Sequence, residues 1–162
     1  MQSPFDISNF SKELKLLTTA FLVVLSIGFY SGLFFVNTTS KMTPKGVEEN
    51  YLGNENNEDA NVMKFKKSER EMLSIIHSHI LSMAMIFFFV GLILLSTNLN
   101  SKLKLFLIIE PFISIILTFG GIYLLWKGFY FMKYIVIFSG TLMTITYSLS
   151  VFIILKQLFN SK

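Results

Sequence analysis

Hydrophobic and polar positions segregate in this chain by whole segments rather than by alternate residues. Four apolar runs stand out, Leu16–Val36, Met72–Leu95, Leu105–Trp126 and Tyr134–Leu155, each 21 to 24 residues long. A helix rising about 1.5 Å per residue needs roughly 20 residues to cross a hydrocarbon layer of about 30 Å. These runs keep no polar stripe of the kind a helix in a soluble bundle shows. Nor do they alternate over about ten residues like the strands of an outer-membrane barrel. The pattern predicts an all-α integral membrane four-helix bundle, one domain over residues 1–162, with spans 16–36, 72–95, 105–126 and 134–155. Short connections make neighbouring spans antiparallel, up and down. The first run is longer than the apolar core of a cleavable signal, and Phe34-Phe35-Val36 offers no small-residue cleavage site, so it is expected to stay as an anchor.

One connection is long, residues 37–71 between spans 1 and 2. It carries seven of the ten acidic residues and six of the fourteen lysines and arginines. Its middle, Gly46-Val47-Glu48-Glu49-Asn50-Tyr51-Leu52-Gly53-Asn54-Glu55, is polar and turn-rich yet keeps Val, Tyr and Leu, which a flexible linker does not need. A partly ordered cap at the membrane surface is the expectation. Ser68-Glu69-Arg70-Glu71 is a capping box that should open the second helix. Trp126, Lys127, Tyr130 and Lys133 read as an interfacial belt between spans 3 and 4.

Composition narrows the chemistry. The chain is 52% hydrophobic and 15% charged where a soluble domain has about a quarter charged, and it has no Cys. Thiol, iron–sulfur, zinc-cysteine and disulfide chemistry are thereby excluded, and no nucleotide-binding or hydrolase motif is present. The net charge of +4 comes from lysines flanking the spans, which suit anionic lipid headgroups and form no nucleic-acid patch. Six lysines (12, 15, 102, 104, 156, 162) lie on the side of the termini and eight Lys or Arg on the side of the long loop, too even a split to orient the chain.

Ionisable residues inside a span are expensive and need a reason. Three occur: His77, His79 and Glu110. The histidines lie nine and eleven residues past Ser68, about 14–17 Å along the helix, in the membrane half nearest the long loop. Two positions are about 200° apart, so the rings point to opposite faces and cannot chelate one ion. Counted inward from the same membrane face, Tyr30-Ser31-Gly32, Thr118 with Gly120-Gly121, and Ser139-Gly140-Thr141 come level with them. Two readings stand. Small residues and hydroxyls let membrane helices pack closely without any ligand. Alternatively the missing volume admits a flat cofactor, a haem with one imidazole as axial ligand. On the second reading His77, His79, Tyr30 and Ser139 line the cofactor, and His79, sharing a face with Ser82 and Met83, is the metal ligand. With two histidines on one helix, a haem held by histidines of two helices is excluded within one chain. What fits is five-coordinate haem, a His–Met pair or a haem shared across a homodimer. Glu110, before Pro111, lies about 10 Å or more from the histidines along the membrane normal. It reads as a carboxyl bonded to Thr18, Thr19, Tyr147 or Ser148, or else as a proton-relay group.

The stretch Ile76-His77-Ser78-His79-Ile80-Leu81-Ser82, with Tyr51-Leu52-Gly53-Asn54 in the loop, resembles small bacterial four-helix membrane proteins. Those proteins have an H-x-H motif on the second span and, in some, a Y-x-G-N stretch in the first loop. A few carry a C-x-x-C-H haem-attachment segment there. The H-x-H helix is also similar to the low-spin-haem span of haem–copper oxidase catalytic subunits. The resemblance covers residues 46–95. It implies an exported loop, cytoplasmic termini, the bacterial inner membrane and a respiratory setting. Lacking Cys, this chain would hold only a non-covalent b-type haem. The expectation is a small membrane protein binding haem, or a metal ion, and working with respiratory membrane subunits, its site covered by Glu48, Glu49, Tyr51 and Asn54. The other readings are a non-catalytic accessory or assembly protein with structural histidines, and a proton or small-solute carrier using Glu110.

Overall fold

A computed structural model describes residues 6–55, 57 and 62–160. Lys162, counted above on the side of the termini, lies outside the described residues. The described chain is helical: α1 (Lys12–Ser40), α2 (Pro44–Leu52), α3 (Glu69–Leu95), α4 (Ser101–Ile115), a π-turn (Ile116–Gly120), α5 (Gly121–Trp126) and α6 (Met132–Asn160). Four stretches are long and apolar enough to cross a membrane: α1, α3, the continuous α4–π-turn–α5 and α6. The predicted helical membrane bundle is the observed one.

Local signals explain where each helix starts and stops. Ser11 accepts from the Leu14 amide to open α1. At its far end the Thr38 and Thr39 hydroxyls donate to the Phe35 carbonyl, and Ser40 to that of Val36. These bonds carry α1 four residues past the predicted span. It stops where Lys41 and Met42 both enter the left-handed region, at φ 52° and 48°. Thr43 caps α2 by accepting from the Gly46 amide, with Pro44 in the first turn where its missing N–H costs nothing. The capping box at the head of α3 is present in both directions. Pro111 sits within α4, and the span's irregularity appears just beyond it as the π-turn.

Hydroxyl residues share the interior with apolar ones: Thr18, Ser114, Thr118, Ser139, Thr146 and Ser150 are buried beside Leu22, Phe87, Leu94, Leu125 and Tyr147, whereas Leu16, Val24, Phe34, Leu105, Ile116, Phe138 and Phe152 are exposed. Lipid solvates Leu and Phe as well as a core does, so small and hydroxyl residues can take part in the helix contacts. The buried residues of α6, from Val136 and Ser139 through Met143, Tyr147 and Ile154 to Leu158, recur at three- and four-residue steps facing α3 and α4. By contrast, α1 buries only Thr18, Leu22, Phe29 and Ser40. Its main anchor is Phe29, stacked on Tyr147 at 3.9 Å between centroids. Tyr30 therefore bonds Ser148 at 2.8 Å, nine residues along α6 from Ser139. Equal-depth counting sets Tyr30 level with Ser139; the observed bond sets it level with Ser148 instead, more than two turns away along α6.

At the end opposite the long loop, the chain before α1 is latched to the turn between α3 and α4. Asp6 accepts from the Ser8 amide and hydroxyl and from Asn98 Nδ2 at 2.9 Å, while the Ile7 amide donates to Ser96. The Ser8 amide first, then Asn98 and the Ser8 hydroxyl, hold the Asp6 carboxyl below its ordinary value. A carboxylate with a depressed folded value contributes stability above the unfolded value and loses it as pH falls through the folded one. The expected result is that the exchange protection of the Ile7 and Ser8 amides, relative to an unfolded chain at the same pH, falls on acidification below the ordinary aspartate range. Asp6→Asn should flatten that pH dependence.

Candidate functional site

α3 carries the two histidines, and both side chains are exposed on its surface. Ser74, His77, Ser78 and Ser82 form an outward polar stripe, with His79 at one edge of it. The serines turn back on their own helix: Ser78 donates to Ser74, and Ser82 to the carbonyl of His79. His79 does likewise through Nδ1, 2.7 Å from the Ile75 carbonyl. A carbonyl only accepts, so Nδ1 bears the proton and a neutral ring keeps its lone pair on Nε2. The ring lies 5.1 Å from that of Phe119, in the π-turn. Forty residues separate the two in sequence, and no sequence signal announces their contact.

The other candidates are distributed differently from the sequence expectation. Ser139 is fully buried, bonding Thr118 at 2.7 Å and the Ile135 carbonyl, and Tyr30 bonds Ser148. Their hydroxyls thus tie helices together and are not turned over to the imidazoles. Among the glycines, Gly121 is pressed against Val136 and Gly91 packs on Ile108, whereas Gly28, Gly32, Gly120 and Gly140 have open space where a Cβ would stand. The open glycines are exposed or half-buried. No group of three His, Asp or Glu able to hold a metal ion occurs among the described residues. As a donor set, α3 offers one oriented imidazole, His79, with His77 nearby on another face.

Glu110 is buried, and one of its oxygens takes a short hydrogen bond from Ser114. Its Oε2 has no hydrogen-bond partner among the described residues. Three of the partners expected from sequence are engaged elsewhere: Thr19 with the Lys15 carbonyl, Tyr147 with Ser26, Ser148 with Tyr30. Four residues apart on one helix, Ser114 was closer than any of them.

The loop is ordered as a cap, but over the α5–α6 turn. Glu48 pairs with Lys133. Glu49 pairs with Lys45 at 3.7 Å, and the Tyr51 carbonyl accepts from the Lys67 amide. Burial pushes the Tyr51 phenol up. The Asn54 side chain bridges the Val62 carbonyl and the Lys64 amide. Trp126 donates its indole N–H to the Lys67 carbonyl at 2.8 Å, and Lys66 and Lys127 both lie over its ring. The predicted belt around Trp126 is thus clamped to the loop by Lys67 and by Glu48, while Glu49 and Asn54 bond within the loop itself.

Comparison with known proteins adds one finding. A search of curated proteins found no match, and neither did a search of solved structures. Residues 41–162, beginning at the end of α1 and including α2 through α6, match the family model described as a transmembrane helical domain. With the spans described above, that match makes this chain a small integral membrane protein belonging to the Aq_1264_TM family of transmembrane helical domains.

Proposed function

We propose that the chain is a non-catalytic subunit of a membrane assembly, and that the outward face of α3 bearing His77, Ser78 and His79 is where it meets a neighbour. The carrying observation is the exposure of two imidazoles about 10 Å or more inside a span. Ionisable groups at such depth are almost always turned to a protein interior, a cavity or a partner. Here both side chains stay exposed, with Phe119 beside the His79 ring, so the remaining cover comes from outside the chain. Respiratory membrane subunits, a second copy of the chain, a bacterial inner membrane and cytoplasmic termini are the setting this reading adopts.

One observation favours a cofactor within that interface. Ligating histidines typically donate their other ring N–H to a carbonyl or carboxylate, which fixes the tautomer and orients the lone pair. The bond from His79 Nδ1 to Ile75 has that form. A b-type haem would be held by His79 through Nε2, with Phe119 beside the imidazole. When bound, haem would supply one-electron chemistry, and the residues of this chain would orient and bury it.

The test is an absorption spectrum of the detergent-purified protein, as isolated and after haem titration, for wild type, His79→Ala and His77→Ala. The haem reading expects a Soret band that His79→Ala abolishes and His77→Ala retains. A colourless wild type that takes up no haem ends it. The interface reading is tested separately with Ser78→Cys, the only thiol in the chain. Cross-linking in native membranes should trap an adduct of defined mass, and its absence at every reagent length would overturn the reading.

A further inference from the structure

The loop side of the molecule holds a cavity of about 590 Å³, between the last turn of α1, the first turn of α2 and residues 62–67. That volume is in the range of small-ligand sites. Among the described residues its charged lining is lopsided: Lys41, Lys45, Lys64 and Lys67 against one carboxylate, Glu49. We propose that this cavity binds a phosphate-bearing anion, and that the physiological source is the headgroup of an anionic phospholipid.

Three features carry the proposal. First, among the described residues the acceptors that could satisfy these cations are few and already used. Lys64 Nζ donates to the Thr39 carbonyl at 2.6 Å, closing the negative end of α1, and the neighbouring Ser40 carbonyl accepts from the Thr43 amide. Glu49 is taken by Lys45 at 3.7 Å. The side-chain ammonium groups of Lys41 and Lys67 have no hydrogen-bond or ion-pair partner among the described residues. Positive charge is left over inside a concave surface, where it is focused.

Second, neutral donors accompany it. The Thr43 hydroxyl already accepts from the Gly46 amide, which leaves its own proton to donate. The start of nine-residue α2 adds the positive end of its dipole. Lysine ammonium groups act on phosphate as point charges, so a set of them around a hollow needs no rigid bidentate geometry.

Third, the cavity stands at headgroup height with an apolar lip. Trp126, a typical interfacial residue, is hydrogen-bonded to Lys67 on the cavity wall. Phe65 and Val62, both in the lining, are 70% and 67% exposed, and Met63 between them and Lys64 is 55% exposed. A small soluble anion has no use for that greasy rim, whereas the glycerol and acyl carbons of a lipid do.

The experiment uses the full chain purified in neutral detergent. Native mass spectrometry and thermal shifts are recorded with phosphatidylglycerol, phosphatidylcholine, inorganic phosphate and glycerol 3-phosphate. The expected result is retention and stabilisation by phosphatidylglycerol over phosphatidylcholine, weakened about tenfold or more in Lys41→Gln/Lys67→Gln, since each lysine near a charged surface contributes appreciably. Lys102→Gln/Lys156→Gln, at the opposite end of the bundle, should bind like wild type. Stabilisation by inorganic phosphate or glycerol 3-phosphate, lost in the same cavity variant, supports the phosphate site and reassigns its source to a soluble anion. Equal retention of both lipids with no response to phosphate overturns the proposal. So does an equal loss in the two double variants, or undiminished binding in a cavity variant whose melting temperature matches wild type.

Discussion

Tyr147→Ala should release the first span from the bundle. Tyr147 is fully buried and is the point where three helices meet: it stacks on Phe29 of α1, meets Phe87 of α3 edge-on at 6.0 Å and lies at 3.1 Å from the hydroxyl of Ser26. Deleting a buried aromatic ring costs about 3–5 kcal/mol through lost contacts and the cavity left behind. In lipid, packing and hydrogen bonding supply most of the cohesion, because exposing apolar surface to acyl chains carries little penalty. For α1 the loss is therefore decisive, since only three other residues of that helix are buried. Labelling of Ser26→Cys, the only thiol in that variant, should go from slow in wild type to fast in Tyr147→Ala, with a lower melting temperature. Tyr147→Phe keeps the stack and forfeits one interhelical hydrogen bond, worth about 0.6 kcal/mol, so it should label almost like wild type. Unchanged labelling in Tyr147→Ala would show that α1 is held by something other than this cluster.

Gly46→Ala should detach the loop cap. A Cβ at Gly46 would stand 1.8 Å from the Ser40 carbonyl oxygen and 2.7 Å from its carbon. Those are backbone atoms at the end of a membrane-anchored helix, and they cannot rotate out of the way. Either α2 moves off α1 or its first turn unwinds. Overpacking costs about 1–3 kcal/mol where side chains can adjust, and the upper end is expected here. Hydrogen exchange should accelerate at the Val47 amide, now bonded to Thr43, and protease should cut between α2 and α3. Phosphatidylglycerol retention should fall as well, because the same turn walls the lysine cavity. Gly140→Ala meets open space and should leave all three readouts unchanged.

The two substitutions also mark how far the sequence could be read. Segment hydropathy located every span because backbone in hydrocarbon must bond to itself, and that requirement acts locally along the chain. The Ser68–Glu71 capping box and the Trp126 belt were equally legible, each being a pattern within a few residues. Depth counting failed for α1, since it assumed that helices end where apolarity ends. The Thr38, Thr39 and Ser40 hydroxyls, bonding back to their own turn, carried the helix further. The partner of Glu110 was sought across the bundle when the near answer, Ser114, lay one turn away on the same helix.

The His-x-His spacing sets the two rings about 200° apart around α3. Which side faces protein depends on how α3 is rotated against α4 and α6, and that rotation is settled by distant residues such as Phe87, Val90 and Leu94, which are buried. The glycine-rich levels were real as sequence but unlike in space: only the fold tells Gly121, wedged against Val136, from Gly120 and Gly140, which face open space.

From the amino-acid order alone came a helical membrane protein, its four crossings, the capped entry to the second of them and two costly imidazoles within it. Solvent preference and hydrogen-bond economy impose these residue by residue. The tertiary structure alone decided that the imidazoles face outward, that the loop closes over the α5–α6 turn, and that four lysines surround one hollow. Those outcomes follow from which surfaces pack against which, and contacts between residues dozens of positions apart leave no periodic trace in the chain.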